Sequence, residues 1–208
     1  MKKRALIIDG NNYYNIAYYA AEKKGFGDAV ASGFFERLAY SYEAREQEHE
    51  FLFVVWDTKV NKRKGEDEGY KANRKPKPEG FYDMMPYIKD TLTMRMVEQY
   101  EKEGYEGDDI MLELYYMCKS KGYQVTIGTS DHDLYQLLCG DDVIIYDPRQ
   151  RQVVTEKSFK EKYEVEPSQW NCVKAMMGDT SDNITGVKGI GKTWAFKIIK
   201  KFGSLEAL

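Results

Sequence analysis

Four short runs of apolar, strand-favouring residues, Ala5–Ile8, Phe51–Trp56, Gln124–Ile127 and Val143–Tyr146, are spaced along the chain with helix-length segments between them. Runs this short and this apolar suit strands buried on both faces, and strands joined by helix-length crossovers pair in parallel. The expected fold class is therefore α/β, a central, mainly parallel sheet flanked by helices. Helices are expected over about Val30–Glu48, Asp108–Lys121, Pro167–Met177 and Lys192–Lys201, the first with Phe34, Phe35, Leu38 and Tyr42 at helical spacing. A chain of 208 residues buries one substantial core rather than two independent ones. We expect an α/β core over residues 1–163 and a helical hairpin segment over 164–208. Ser204 to Leu208 reads as a helix just begun at a serine cap, from which a truncated end is expected.

Charge is informative by position rather than in total. Lys plus Arg number 31 and Asp plus Glu 34, so the net charge of −3 neither favours nor disfavours a polyanionic partner. Between Lys59 and Lys77, however, eight basic residues stand against three acids, and from Gly186 to Phe202 there are five lysines and no acid. The first of these stretches lies within Thr58–Gly80, a polar connection too long to be a plain loop in a compact domain and therefore expected to be functional.

Three scattered cysteines, Cys118, Cys139 and Cys172, and two histidines offer no zinc-ligand spacing and suit a reduced, cytoplasmic protein. The basic start Met1–Arg4 precedes only four apolar residues before Asp9, too few for export or membrane insertion, so no membrane partner is expected.

The apolar runs lead into aspartates. Asp9 follows the first, Asp57 the second, and Asp131 and Asp133 follow the third through Gly128–Ser130. Strands of an open parallel sheet end on one shared edge, so these distant acids converge there. Glu106, Asp108 and Asp109 open the helix before the third strand, and Asp179 and Asp182 sit in a polar turn. Each acid alone has a plainer explanation in helix capping or turn formation. Asp9 and Asp57 fit it poorly, because a charge at the end of a very apolar strand is costly without a partner.

Together the nine acids would repel one another unless cations neutralise them, and oxygen donors without Cys or His select Mg²⁺ or Mn²⁺. Two such ions about 4 Å apart can activate water and stabilise both oxygens of a phosphodiester displacement.

Gly186 to Thr193 fits the phosphate-loop string G-x-x-x-x-G-K-T letter for letter. That motif needs a buried strand ahead of it, whereas Gly178–Thr185 is polar and turn-rich, so an NTPase is the weaker reading. A helix-hairpin-helix accounts for the same residues: Gly189 and Gly191 let backbone amides approach a DNA phosphate, with Lys188, Lys192 and Lys197 adding salt-sensitive attraction.

With these residues in hand the chain resembles the 5′-nuclease family that includes phage flap endonucleases and the 5′-nuclease domain of bacterial DNA polymerase I. The likeness rests on Ile7–Asn11, Gly69–Arg74, Glu106–Asp109, Ser130–Leu134 and Met177–Asn183, five motifs in the family's order. It implies a first metal group of Asp9, Asp57, Glu106, Asp108 and Asp109 and a second of Asp131, Asp133, Asp179 and Asp182. Thr58–Gly80 would form or border a helical arch for a single-stranded 5′ end, with Lys71 and Arg74 on the scissile phosphate and Tyr70 stacking on a base.

Asp108, Lys71 and Arg74 are the expected catalytic residues, and Tyr70, Lys71, Arg74, Lys188, Gly189, Gly191 and Lys192 the DNA contacts. The resemblance further implies 5′–3′ exonuclease and flap endonuclease activity leaving 5′-phosphate and 3′-hydroxyl. It implies K⁺ at the hairpin, action on DNA flaps, nicks and free 5′ ends and on RNA in RNA–DNA hybrids, and a monomer. His132 departs from the lysine, and Gly107 from the alanine, usual in such relatives. The rival from another class is a non-catalytic DNA-junction binding module, against which the full set of nine acids counts.

Overall fold

The computed structural model of the protein describes residues 2–22, 28–44, 49–58, 62 and 69–207. Its centre is β1 (Arg4–Asp9), flanked by β2 (Phe51–Val55) and β3 (Glu98–Tyr100) on one side and by β4 (Gln124–Gly128), β5 (Val143–Asp147) and β6 (Gln152–Val154) on the other. The strands from β3 to β5 run parallel, and β6 returns antiparallel at the edge. Asp9 pairs with Val55 and Ile8 with Gly128. The chain leaves β1 for β2 and comes back to β4 on its other side, which makes the carboxyl end of β1 the switch point where open α/β sheets bind ligands.

Alternation along β1 decides which helix packs where. Leu6 and Ile8 face α1 (Gly10–Glu22), α2 (Ala29–Tyr42) and α3 (Met85–Met94), in a cluster with Tyr13, Phe34, Trp56 and Ile88. Ala5 and Ile7 face the opposite layer, α4 (Gly107–Ser120), through Met111, Leu114 and Cys118. Leu6, Ile7 and Ile8 are wholly buried, which contributes about 2 kcal/mol each. The second layer continues into α5 (Glu156–Tyr163), α6 (Trp170–Met177) and α7 (Lys192–Phe202), whose Phe159, Trp170, Val173, Ala195 and Ile199 join the same core as Val125 and Ile127. A two-stranded hairpin, β7 (Gly178–Asp179) with β8 (Ile184–Thr185), links α6 to α7.

Several expectations need amendment. The helix expected over Val30–Glu48 is Ala29–Tyr42, with Glu43 and Ala44 in a turn and residues 45–48 outside the described set. The helix expected from Pro167 begins as a 3₁₀ turn, Pro167–Gln169, because proline suits only the first turn, and becomes α-helical at Trp170. Residues 203–207 are bends and turns rather than a new helix, and Gly203 ends α7 with φ of 86°. Of the expected arch, residues 59–61 and 63–68 lie outside the described set, while residues 69–84 run as turns and irregular segments into α3 rather than as a helix. No helix among the described residues is long and apolar enough to cross a membrane.

Candidate active site

The acids meet at the carboxyl edge of the sheet. Asp9 accepts hydrogen bonds from the Asn12 amide at 2.8 Å and the Thr129 hydroxyl at 2.9 Å. Asp57, two residues beyond β2, accepts the Gly107 amide at 2.6 Å and so holds the first turn of α4. Asp108 stands in that same turn, in the field of Asp9, Asp131 and Asp57. Burial pushes its carboxyl well above the usual range and those three charges push the same way. Burial also raises Asp9, to about 7, with Asp57 and Asp131 adding to the rise and its two hydrogen bonds resisting it.

Glu106, only 9% exposed, precedes α4 and receives the Tyr70 hydroxyl at 2.9 Å and the Lys71 ammonium. Burial works against the Lys71 charge, but Glu106, Tyr70 and Asp182 outweigh it and its pKa is raised. Asp109 has a different place from its neighbours. Its side chain turns back to accept the Glu106 amide at 3.0 Å, capping α4, and it borders a separate groove with Lys62 and Tyr105.

In the second group Asp131 accepts the Asp133 amide at 2.8 Å and caps the 3₁₀ turn His132–Leu137. His132 stacks on Tyr135 with ring centroids 4.7 Å apart. Asp133 and Asp179 share one cation: the Lys174 ammonium lies 2.7 Å from Asp133 and in contact with Asp179. Asp179 also accepts the Ser181 amide at 2.8 Å and hydroxyl at 2.6 Å. Burial raises its carboxyl, but the Lys174 and Ser181 hydrogen bonds prevail and take it down to about 2. Asp182 holds Arg74 at 2.6 Å and lies 3.9 Å from the Lys71 ammonium, so the second group reaches the first through Lys71 and Glu106.

Among the described residues, no three His, Cys, Asp or Glu side chains are gathered tightly enough to hold a metal ion as they stand. Ammonium groups hold the intervening positions, Lys71 between Glu106 and Asp182 and Lys174 between Asp133 and Asp179. The donors are all oxygen, which fits a hard divalent cation, and the neighbouring carboxylates add to the rise that burial gives Asp9 and Asp108. Lys174 was not foreseen. A lysine in the last turn of a helix is ordinary dipole compensation, and only its placement five residues before Asp179 hinted at more.

A cleft of about 660 Å³ opens beside Glu106 and Asp57, lined by Asn11, Asn15, Lys71, Arg74, Lys77, Lys89 and Tyr105 among others. Lys77 contacts the Asn15 side-chain oxygen and sits 4.5 Å above the Phe81 ring, its pKa lowered by burial and by Arg74. Lys188, Gly189, Gly191 and Lys192 lie exposed on the turn that opens α7. Gly189 has φ of 85°, and a Cβ at Gly189 or Gly191 would meet nothing within 4 Å, so this backbone is open to an approaching group.

The phosphate-loop string has another cause. Gly186 follows the two-residue β8, not a buried parallel strand. A Cβ on Gly186 would come within 2.4 Å of the Gly178 backbone nitrogen, so glycine is needed where the hairpin closes.

A mainly parallel sheet with a carboxylate cluster at its switch point and a basic helical hairpin beside it defines a nuclease-type α/β domain. The particular family follows from comparison with known proteins. Residues 4–164 match the family model "5′-3′ exonuclease, N-terminal resolvase-like domain" and residues 165–208 match "5′-3′ exonuclease, C-terminal SAM fold". The chain belongs to the 5′-3′ exonuclease family, a family of enzymes.

It is 32% identical to the 5′-3′ exonuclease of Aquifex aeolicus, over 98% of this chain and 71% of that protein. It is 36% identical to the thermostable DNA polymerase I of Thermus thermophilus over its whole length, spanning only 25% of the polymerase. Among solved structures it superposes on the phage T5 5′-exonuclease with zinc bound, at a TM-score of 0.75 and 25% identity, covering 99% of this chain and 78% of that one. The catalytic core of Rad2, solved with DNA substrate, shares the fold at a TM-score of 0.65 and 16% identity, over 99% of this chain and 63% of that one.

Proposed function

We propose that the chain is a structure-specific, divalent-metal-dependent 5′-nuclease. In this reading it hydrolyses DNA phosphodiesters at 5′ flaps, nicks and free 5′ ends, leaving a 5′-phosphate and a 3′-hydroxyl. The observation that carries the proposal is the continuous run of acids from Asp9 and Asp57 through Glu106 and Asp108 to Asp131, Asp133, Asp179 and Asp182, with Lys71 and Arg74 laid across it. A phosphodiester cannot enter such a field unless cations are present. The T5 flap endonuclease was solved with DNA and metal ions together, which supports the same partnership here.

Asp9, Asp57, Glu106 and Asp108 would hold one ion, with Asp109 bracing them as the cap of α4. Asp131, Asp133, Asp179 and Asp182 would hold another, Mg²⁺ or Mn²⁺ by donor chemistry. Such ions, when bound, make a bound water more acidic and neutralise charge on the attacking and leaving oxygens. Lys71 and Arg74 place positive charge where negative charge grows on the scissile phosphate. Tyr70 offers a ring for base stacking, and Lys77 continues the positive wall of the cleft towards the strand that leaves it. Lys188, Gly189, Gly191 and Lys192 bind the duplex backbone, with K⁺ held by carbonyls of the same hairpin. RNA in RNA–DNA hybrids and a monomeric state belong to this reading.

Asp9→Asn and Asp179→Asn test it: each should bind flap DNA like the parent and fail to cut it, and cutting at the parent's rate would reject the assignment. One observation favours the non-catalytic junction-binding alternative, namely that Lys71 and Lys174 already neutralise part of the acid cluster. That alternative predicts tight flap binding by the parent with no cleavage under Mg²⁺ or Mn²⁺.

A further inference from the structure

Asn73 and Asn183 lie in the two motifs Gly69–Arg74 and Met177–Asn183, outside the acids and cations of the proposed chemistry. Their side chains face across the site instead. The Asn73 amide donates to the Thr180 carbonyl at 2.5 Å, and the Asn183 amide donates to the Gly69 carbonyl at 2.9 Å, joining segments 107 and 114 residues apart. Between these two ties the Lys71 backbone amide donates to the Asp182 carbonyl at 3.0 Å, and Arg74 binds the Asp182 carboxylate at 2.6 Å. The ties are reciprocal, since each segment supplies one asparagine donor and one backbone acceptor.

The backbone shows why the ties matter. Lys71 and Asn183 both adopt left-handed conformations, with φ of 55° and 60°. Asparagine tolerates that region, but lysine does so only where its surroundings enforce it. The Lys71 conformation is enforced by its amide bond to Asp182 and by the asparagine tie on either side of it, and it delivers the ammonium to Glu106 with Asp182 beside it.

We propose that Asn73 and Asn183 are positioning residues, an amide clasp that fixes Lys71 over the acids so that the 69–74 segment and the Asp179–Asp182 turn move as one unit. The role of Lys71 in the cleavage step rests on the 5′-nuclease reading. The clasp itself does not.

Asn183→Gly is the informative variant, because glycine accommodates the left-handed backbone while removing the side-chain amide. Two readouts separate the clasp from the nuclease reading: hydrogen–deuterium exchange of the peptide containing Lys71, and single-turnover cleavage of 5′-flap DNA with the DNA dissociation constant measured alongside. Exchange across 69–74 should rise in Asn183→Gly. The single-turnover rate should fall about tenfold, as expected for losing one net hydrogen bond of about 1.4 kcal/mol, with the dissociation constant within about twofold of the parent's.

In a Lys71→Ala background the same change should slow the reaction no further. Parent-like exchange, an unchanged rate, or losses that simply multiply with Lys71→Ala would each overturn the clasp. Asn73→Ala, at an exposed position with ordinary backbone geometry, carries the same predictions should Asn183→Gly fail to fold. If the parent cuts no DNA, the nuclease reading falls and the exchange result alone decides the clasp.

Discussion

Asp9→Asn is expected to stabilise the fold when no divalent metal is available. Burial and the nearby Asp57 and Asp131 hold the Asp9 carboxyl at about 7, against an ordinary value of 3.8. A carboxyl whose pKa is raised on folding favours the folded state below its ordinary value, and that contribution is lost as pH rises through the folded value. A gap of about three pH units corresponds to about 4 kcal/mol, an upper figure because Asp108 titrates in the same field. The substitution preserves the local network: the asparagine oxygen can still accept the Asn12 amide, and its amide can donate to Thr129.

The assay is thermal unfolding in EDTA from about pH 4 to about pH 8. Parent and variant should melt together at the acid end and separate progressively through neutrality, the variant ending about 10 °C higher if the full energy is realised. Saturating Mg²⁺ should shrink the difference. A variant that melts at or below the parent at the alkaline end would refute the claim that uncompensated charge at Asp9 costs the fold energy.

Three further expectations are narrower. Lys71→Ala should slow single-turnover cleavage about a hundredfold, the effect of losing a charge contact of about 3 kcal/mol in the transition state, and an unchanged rate would leave Lys71 as a plain counter-ion. Gly186→Ala should lower the urea midpoint by an amount equivalent to about 2 kcal/mol or more, because its Cβ would meet Gly178 backbone at 2.4 Å, and a parent-like midpoint would contradict the hairpin geometry. Lys188→Ala and Lys192→Ala should each reduce the slope of log affinity against log salt by about 1 while leaving the cleavage position unchanged, and an unaltered slope would remove that lysine from the DNA interface.

The parts of the fold legible in sequence are those where burial leaves a compositional mark. β1, β2, β4 and β5 are central and apolar, and all were evident within a residue or so of their observed ends. β3 (Glu-Gln-Tyr) and β6 (Gln-Val-Val) are three-residue edge strands with one side open, so they carry no such mark. α1 was hidden because its apolar face is built from tyrosines and alanines, Tyr13, Tyr14, Ala17 and Tyr18, rather than aliphatic residues.

In the site, acids at strand ends and at the start of α4 were readable because topology alone brings them together. Asp109 was placed with them by its motif, whereas helix capping turns its side chain to the Glu106 amide. Lys174, Asn73 and Asn183 were not readable, since their partners are set by how the α6–β7 turn docks across the site.

The central claim is that the acid cluster serves metal-dependent phosphodiester hydrolysis, and cleavage of a 5′-labelled flap DNA by the purified protein, with Mg²⁺ and with EDTA, tests it most directly. The account predicts release of a labelled product ending near the junction with Mg²⁺ and none with EDTA; stable binding of the flap without cleavage under Mg²⁺ or Mn²⁺ would contradict it.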